Sequence, residues 1–331
     1  GDIGSGNAIH CADQELGGYD HLICESTYGA REREETLISE RREALAGYVE
    51  STLKAGGNLL IPAFAVERTQ VILEDLLALF DSGRLSLVNV FLDAPLAQKV
   101  TRAMLKYRDN GADLLKRSNI RFIETVAESK QLNKMTGAVI IAGSGMCEGG
   151  RIRHHLIRNL PRRQSRVLFT GFQVAGTLGS VLTDGAKLVR ISGHDVIVNA
   201  DIDILGGYSN HADRKGLSQW IADRTPITGS IFLVHGETNG LQALASDLAA
   251  AKQPHEPIIP SLGEQWELQP HTRARLQSPA RRDAEQLIAP QDWASRLAAL
   301  RSSVQQKVND LPSDQDREKM LKALERALEN Y

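Results

Sequence analysis

Residues 137–156 read GAVIIAGSGMCEGGRIRHHL. The apolar run between Gly137 and Gly143 predicts a buried strand, and the charged stretch after the glycines predicts a helix. Strand, glycine turn and helix in that order form the unit from which α/β sheets are built. Glycines at the turn let backbone amides approach an anion at the helix N-terminus, so phosphate is the natural guest. No GK[ST] follows and the spacing is not that of a dinucleotide fingerprint, which excludes those two nucleotide motifs. The run goes on through Arg151, Arg153, Arg158, Arg162, Arg163 and Arg166, with His154 and His155 and no acid after Glu148. A solvated helix face explains such a run as readily as an anion site does. The adjoining glycine loop tilts the reading toward a polyanion, because arginine forks bind phosphate oxygens in pairs.

Outward from this unit the same alternation repeats. HLICE (21–25), NLLIPAF (58–64), LVNVFLDA (87–94), RVLFTGF (166–172) and SIFLVHG (230–236) read as further buried strands separated by helical patterns. One such helix is expected over 34–53, with Leu37, Leu45 and Val49 on its apolar side. Residues 187–205 alternate and are rich in β-branched side chains around a turn at Gly193 and His194, which predicts an antiparallel hairpin and hence a mixed sheet rather than a purely parallel one. From about Gln277 strand signals stop. Ser313 with Asp316 resembles a capping box, and Met320, Leu321, Leu324 and Leu328 form a stripe at helical spacing. This C-terminal helix is expected to pack on the body, the alternative being a dimerisation or partner surface.

A chain of 331 residues is long enough for two domains. With 42% hydrophobic residues, 24% charged residues and a formal net charge of −2, it carries no bulk charge that would select nucleic acid or a membrane. Any such partner must be argued from local clusters. Cys11, Cys24 and Cys147 form an odd count without CxxC spacing, which suits free thiols in a reducing compartment. No stretch has the length of a membrane span or the pattern of a signal peptide, so a cytoplasmic protein without a membrane partner is expected.

Candidate chemistry sits just past the apolar runs. Glu25 closes HLICE, His211 and Asp213 follow a Gly-Gly-Tyr-Ser-Asn loop, and His235 ends SIFLV. Singly, each is more often a hydrogen-bonded structural residue. Together they supply imidazole and carboxylate at strand ends, the donor types a hydrolytic zinc site uses while leaving a position open for water.

The motifs ESTYG (25–29), IPAFAVERTQVIL (61–73), DAPLAQKVT (93–101), GSGMCEGGRIRHHL (143–156), GFQVAGTLG (171–179), GGYSNHAD (206–213) and FLVHGE (232–237) resemble, in order, the β-CASP branch of the metallo-β-lactamase-fold nucleases. The resemblance covers roughly residues 1–265. It implies an α/β protein: a four-layer αββα hydrolase domain in segments 1–34 and 161–270, a β-CASP domain inserted at 35–160, and a helical extension over 271–331. It also implies hydrolysis of RNA phosphodiesters with two zinc ions. By this resemblance Glu25 and His211 are catalytic, Asp2 bridges the metals and His235 completes one metal shell. A carboxylate can span two metals about 4 Å apart. Ser144, Gly145, Arg151, Arg153, His154 and Ser209 are expected against the substrate. A histidine at the position of His235 is the pattern of RNA-acting rather than DNA-repair members. The family's HxHxDH zinc motif does not occur, and it would lie before Asp2; an incomplete zinc site and an impaired chain are therefore expected. Two other readings stay open, a metal-free RNA-binding or scaffold protein and a hydrolase of small phosphodiesters. A homodimer is also open.

Overall fold

The computed structural model describes residues 2–4, 18–32, 37–106, 117–209, 211–250, 256–279, 300, 304, 307–308 and 311–329. Its strands are β1 (Leu22–Glu25), β2 (Leu59–Pro62), β3 (Asn89–Leu92), β4 (Ile120–Phe122), β5 (Ala138–Ala142), β6 (Arg166–Phe169), β7 (Leu188–Ile191), β8 (His194–Ile197), β9 (Asp201–Ile204), β10 (Ile231–Val234), β11 (Gln265–Glu267) and β12 (Arg275–Ser278). Its helices are α1 (Ile38–Lys54), α2 (Arg68–Asp81), α3 (Pro95–Leu105), α4 (Val126–Leu132), α5 (Ile152–Asn159), α6 (Leu178–Thr183), α7 (Arg214–Ala222), α8 (Thr238–Ala250) and α9 (Asp314–Glu329). The chain divides into two compact units, one from segments 1–35 and 210–290, the other from 36–209 and 291–331.

The second unit is built on a six-stranded sheet in the order β4-β3-β5-β2-β6-β9. Every pairing in it is parallel. Side chains alternate across a strand, so consecutive apolar residues are required when both faces are covered. Leu59 and Ile61 of β2 pack with Leu45, Val49, Ile72, Leu76 and Ala97 from α1, α2 and α3. Leu60 between them faces the other way, onto Ile152, Leu156 and Leu160 in and just beyond α5 and onto Val181 and Leu182 of α6. The runs that read as continuous apolar strands are thus the ones buried on both sides.

The structure corrects the sequence reading in several places. The main sheet is parallel, not mixed, because the alternating stretch 187–205 holds two different things. β7 and β8 form a separate antiparallel pair turning at Ser192 and Gly193, both with positive φ. β9 then pairs in parallel with β6. Since β6 and β9 belong to the sheet of β2, the second unit runs on to residue 209 rather than closing at 160. Strand structure also continues past 271, where β11 and β12 form a hairpin ending at Ser278. In α1 Leu45 and Val49 are buried, but Leu37 is the N-cap and is exposed. α9 starts with the expected capping contacts: Asp316 N donates to Ser313 Oγ at 3.2 Å. Leu321 on its stripe is exposed, and the side chain of Leu328 lies outside the described residues, as does Cys11.

The first unit pairs β1 with β10 in parallel. Leu22, Cys24, Ile231 and Leu233 pack with Leu217 and Ile221 of α7 and with Leu244 and Leu248 of α8. Phe232 points the opposite way, into Ile258, Ala274 and Trp266 beside the β11–β12 hairpin. The carboxyl ends of both strands therefore lie side by side, which brings Glu25 and His235 to one edge. No described helix is long and apolar enough to cross a membrane.

Candidate active site

Glu25 is the last residue of β1 and is almost fully buried. Its Oε1 accepts from Ile3 N at 3.1 Å and lies 2.9 Å from His211 Nδ1, while Oε2 accepts from Thr27 N at 3.0 Å. Burial alone would push this carboxyl toward its neutral form. The hydrogen bonds from His211 and Thr27 outweigh that penalty and hold its pKa down to about 2. Glu25 is thus ionised at neutral pH and can only accept, so His211 Nδ1 is the donor.

Several backbone contacts place His211. It bridges Gly4 in antiparallel fashion, and Ala212 N donates to Ile3 O at 2.7 Å. Asp213 next to it caps α7 by accepting from Gly216 N at 2.8 Å. Its Nε2 lies 3.6 Å from the carboxylate of exposed Asp2, and Tyr28 meets the ring edge-on at 6.1 Å. The ring of His235 is stacked at 6.0 Å from that of His211. Asp2, Glu25, His211 and His235 are accordingly gathered at one place.

His235 has a φ of 53°, in the left-handed region that a non-glycine residue seldom occupies. Thr27 holds it there. The Thr27 hydroxyl donates to His235 O at 3.2 Å, and its oxygen lies 3.2 Å from His235 Nδ1. With the hydroxyl hydrogen used, Nδ1 is the donor in that contact. The next residue, Gly236, sits so close to β1 that an added Cβ would lie 2.5 Å from Ser26 O. Thr27 was not singled out from the sequence, although it stands in the ESTYG motif; its partner is 208 residues away.

Carboxylate and imidazole are suitable zinc donors, but among the described residues no three His, Cys, Asp or Glu side chains gather closely enough to hold an ion. The described residues alone therefore do not build a closed metal shell.

The expected substrate residues lie in the second unit, and the structure gives them different tasks. Ser144 closes its own loop, its Oγ accepting from Gly149 N at 3.2 Å. Gly145 lies under the ring of Phe64. Gly150 has a φ of +75° and approaches Gly143 so closely that a Cβ would lie 2.2 Å from its carbonyl oxygen. Arg151 turns inward and donates to Asp93 Oδ1 at 2.6 Å and to Ile123 O at 3.0 Å. Arg153 donates to Glu148 O at 2.9 Å, whereas His154 is exposed. Ser209 follows a loop anchored by Arg41, which pairs with buried Asp75, lies over Tyr208 and donates to Gly207 O at 2.8 Å.

The arginine run is therefore not one open patch. Arg158, Arg162, Arg163 and Arg166 follow α5 back to the start of β6, at the opposite end of the parallel sheet from the glycine loop. Arg166 is itself paired with Asp201 and Asp203. A further cluster has no signal in the sequence. Fully buried Asp93 receives Arg151, the Ser129 hydroxyl at 2.5 Å and lies 2.7 Å from His155 Nε2. Burial opposes its ionisation, but these bonds hold its pKa below the usual value.

Comparison with known proteins identifies two domains in the chain. Residues 69–182 match the Beta-Casp domain, and residues 195–260 match the Zn-dependent metallo-hydrolase RNA specificity domain. The chain is 34% identical over 247 residues to Ribonuclease TTHA0252 of Thermus thermophilus, covering 71% of this chain and 55% of that protein. It is 29% identical over 266 residues to Transcription termination factor FttA of Cenarchaeum symbiosum, covering 74% and 41%. The FttA protein of Pyrococcus abyssi is 29% identical over 246 residues, covering 69% and 38%. The chain thus spans about half the length, or less, of these relatives. With a parallel α/β sheet, two collinear domain matches and a histidine-carboxylate site at the strand ends, the chain belongs to the β-CASP family of metallo-β-lactamase-fold proteins.

Proposed function

We propose that this chain serves in hydrolysis of RNA phosphodiester bonds, with Glu25 and His211 as its acid–base pair. The observation that carries this reading is the 2.9 Å contact between an ionised, buried carboxylate and a partly exposed imidazole. Glu25 fixes the tautomer and orientation of His211 and stabilises positive charge on the ring. His211 Nε2 is then the atom that holds a proton for the oxygen leaving phosphorus. Asp2, 3.6 Å away, adds a second anion beside that proton. His235, braced by Thr27, presents Nε2 at the same edge.

RNA as the substrate is supported by the RNA specificity domain matched at 195–260 and by the name of the bacterial relative. The matched domain's description also supports zinc as cofactor. In this reading Asp2 and His235 would help to hold the metal, which would supply Lewis acidity and an activated water at this edge. The test is cleavage of a labelled single-stranded RNA by the native protein and by its His211→Ala variant, with metal content measured on both. Loss of cleavage by a variant that stays folded supports the assignment. Equal cleavage by the variant overturns it.

A further inference from the structure

We infer that Arg158, Arg162 and Arg163, flanked by Lys54 and Lys134, form a docking surface for the phosphate backbone of a paired RNA stem, at the end of the six-stranded sheet away from the glycine loop. The inference rests on RNA being the ligand, and uses no residue of the acid–base site.

The fold separates these arginines from the rest of the run. α5 is 8 residues long and carries the chain about 12 Å. Arg151 and Arg153 at its start are bonded into the fold, and Arg166 beyond it is paired with Asp201 and Asp203. Between them Arg158 and Arg163 are exposed and Arg162 is half-buried, and none of these side chains has a hydrogen bond or ion pair among the described residues.

The loop that displays them is fixed from behind. Arg162 N donates to Asn159 O at 2.9 Å and Ser165 N to Arg162 O at 3.1 Å, so the chain turns tightly on itself. Asn58, Asn159 and Ser165 behind it are fully buried. Asn58 Nδ2 donates to Asn159 Oδ1 at 3.1 Å and to Met135 O at 2.9 Å, and the Ser165 hydroxyl donates to the same Asn159 oxygen at 3.2 Å. Asn58 Oδ1 in turn accepts from Ala138 N at 3.2 Å. A satisfied polar network of this kind rigidifies the backbone it holds, and a loop already ordered loses less freedom on binding.

The same network sets the flanks. Gly57 packs so closely on Gln164 that a Cβ would lie 1.7 Å from its carbonyl oxygen, and Gly137 N donates to Gly57 O at 3.0 Å. Lys54 in the last turn of α1 and Lys134 beside Met135 are thereby brought to the same end of the sheet, both exposed. The fold also brings Asp201 to this loop, its N donating to Ser165 O at 3.2 Å, but that carboxylate is taken by Arg166. Glu50, one turn before Lys54, is taken by Arg84. Positive charge is left without a counter-charge.

The make-up of the surface selects the polyanion. Among the described residues no exposed large apolar side chain comes from 158–166, so the apolar centre of a protein interface is missing. The ring of Tyr48 lies half-buried under Arg166 at 5.2 Å and offers no open platform for the bases of a single strand. A paired stem hides its bases and presents phosphates, which arginine forks bind.

The test is equilibrium binding of a fluorescein-labelled RNA hairpin, its stem about 16 base pairs long as for a double-strand-binding module, to the native protein in chelator, so that cleavage does not intervene. Arg158→Gln, Arg162→Gln and Arg163→Gln in one variant should weaken binding on the order of 10- to 100-fold at about 0.1 M salt, and lower the slope of log affinity against log salt by about 3. An unpaired RNA with the same number of phosphates should lose less. Arg158→Lys, Arg162→Lys and Arg163→Lys together keep the charge and should keep the slope; a lysine variant as weak as the glutamine one would overturn the role of charge. Unchanged hairpin affinity in the glutamine variant overturns the surface while leaving the acid–base reading intact. Equal losses for paired and unpaired RNA overturn the assignment to a stem. Displacement of the hairpin by poly-glutamate as readily as by unlabelled hairpin of equal charge overturns the assignment to RNA. Failure of the native protein to bind either RNA overturns both this surface and RNA as the substrate.

Discussion

Among the described residues, two histidine–carboxylate pairs with a buried carboxylate have nearly equal length, and they differ in what surrounds the ring. Glu25 and His211 lie 2.9 Å apart, Asp93 and His155 2.7 Å. Both carboxylates are buried and both are held ionised by their bonds. The difference is at the far side of the ring. His155 is 1% exposed and its Nδ1 is sealed away without a partner, whereas His211 is 18% exposed and its Nε2 lies toward Asp2. Asp93 also carries a guanidinium, Arg151, so its charge is spent inside the fold. Pair geometry is thus common to both; access to the second nitrogen is what separates them, and the proposed proton transfer rests on that access.

That contrast can be broken by substitution. His211→Ala should lower RNA cleavage on the order of 100- to 10,000-fold, the range for loss of a general acid or base, and should also lower stability, because it leaves buried Glu25 without its ring donor. In the second unit the expected cost is to stability alone. Asp93→Ala leaves the Arg151 guanidinium without its carboxylate and should cost about 3–5 kcal/mol in chemical denaturation.

Acid should act on both pairs in the same direction. The folded pKa of Glu25 is about 2 against an ordinary 4.5, so its stabilisation is complete above the ordinary value and is lost as pH falls through the folded one. This corresponds to something on the order of 3 kcal/mol. Asp93 is lowered as well and adds to the same acid limb. Glu25→Gln should flatten the stability profile between pH 4.5 and 2, checked by denaturant titrations across that range; an unaltered profile would mean that Glu25 is not held ionised by these bonds. The smallest effects sharpen the distinction. Thr27→Val and Ser129→Ala each remove one hydroxyl from a pair's surroundings and should cost about 1 kcal/mol. Only Thr27→Val should also slow cleavage, because only Thr27 braces His235.

The six apolar runs were legible because each had to supply residues to a core, four of them to both faces of a parallel sheet. β4 was not, since Arg121 interrupts its three residues and leaves no run to see. The stretch 187–205 was misjudged for a different reason: β-branched alternation says that strands form but not which sheet they join. Glu25 and His235 could be picked out because one ends a strand and the other follows one, and His211 because it follows the glycine loop after β9. The fate of Arg151 could not, for its partner is 58 residues away and a sequence shows a positive charge without showing whether it is already neutralised. Arg166 teaches the same point through Asp201 and Asp203.

The pairing of β1 with β10 also sets an order of events during synthesis. Leu22 and Ile231 are register partners, and the whole of the six-stranded sheet is encoded between them. All of that sheet's strands are synthesised before β10, so the inserted unit can begin to fold while β1 still waits for its mate. Closing so long a loop is costly when the intervening chain is disordered, and the cost falls once that chain has condensed with its ends fixed. A lesion in the Asp93 cluster would therefore reach the proposed acid–base pair without touching it, by delaying the strand pairing on which Glu25 and His235 both depend.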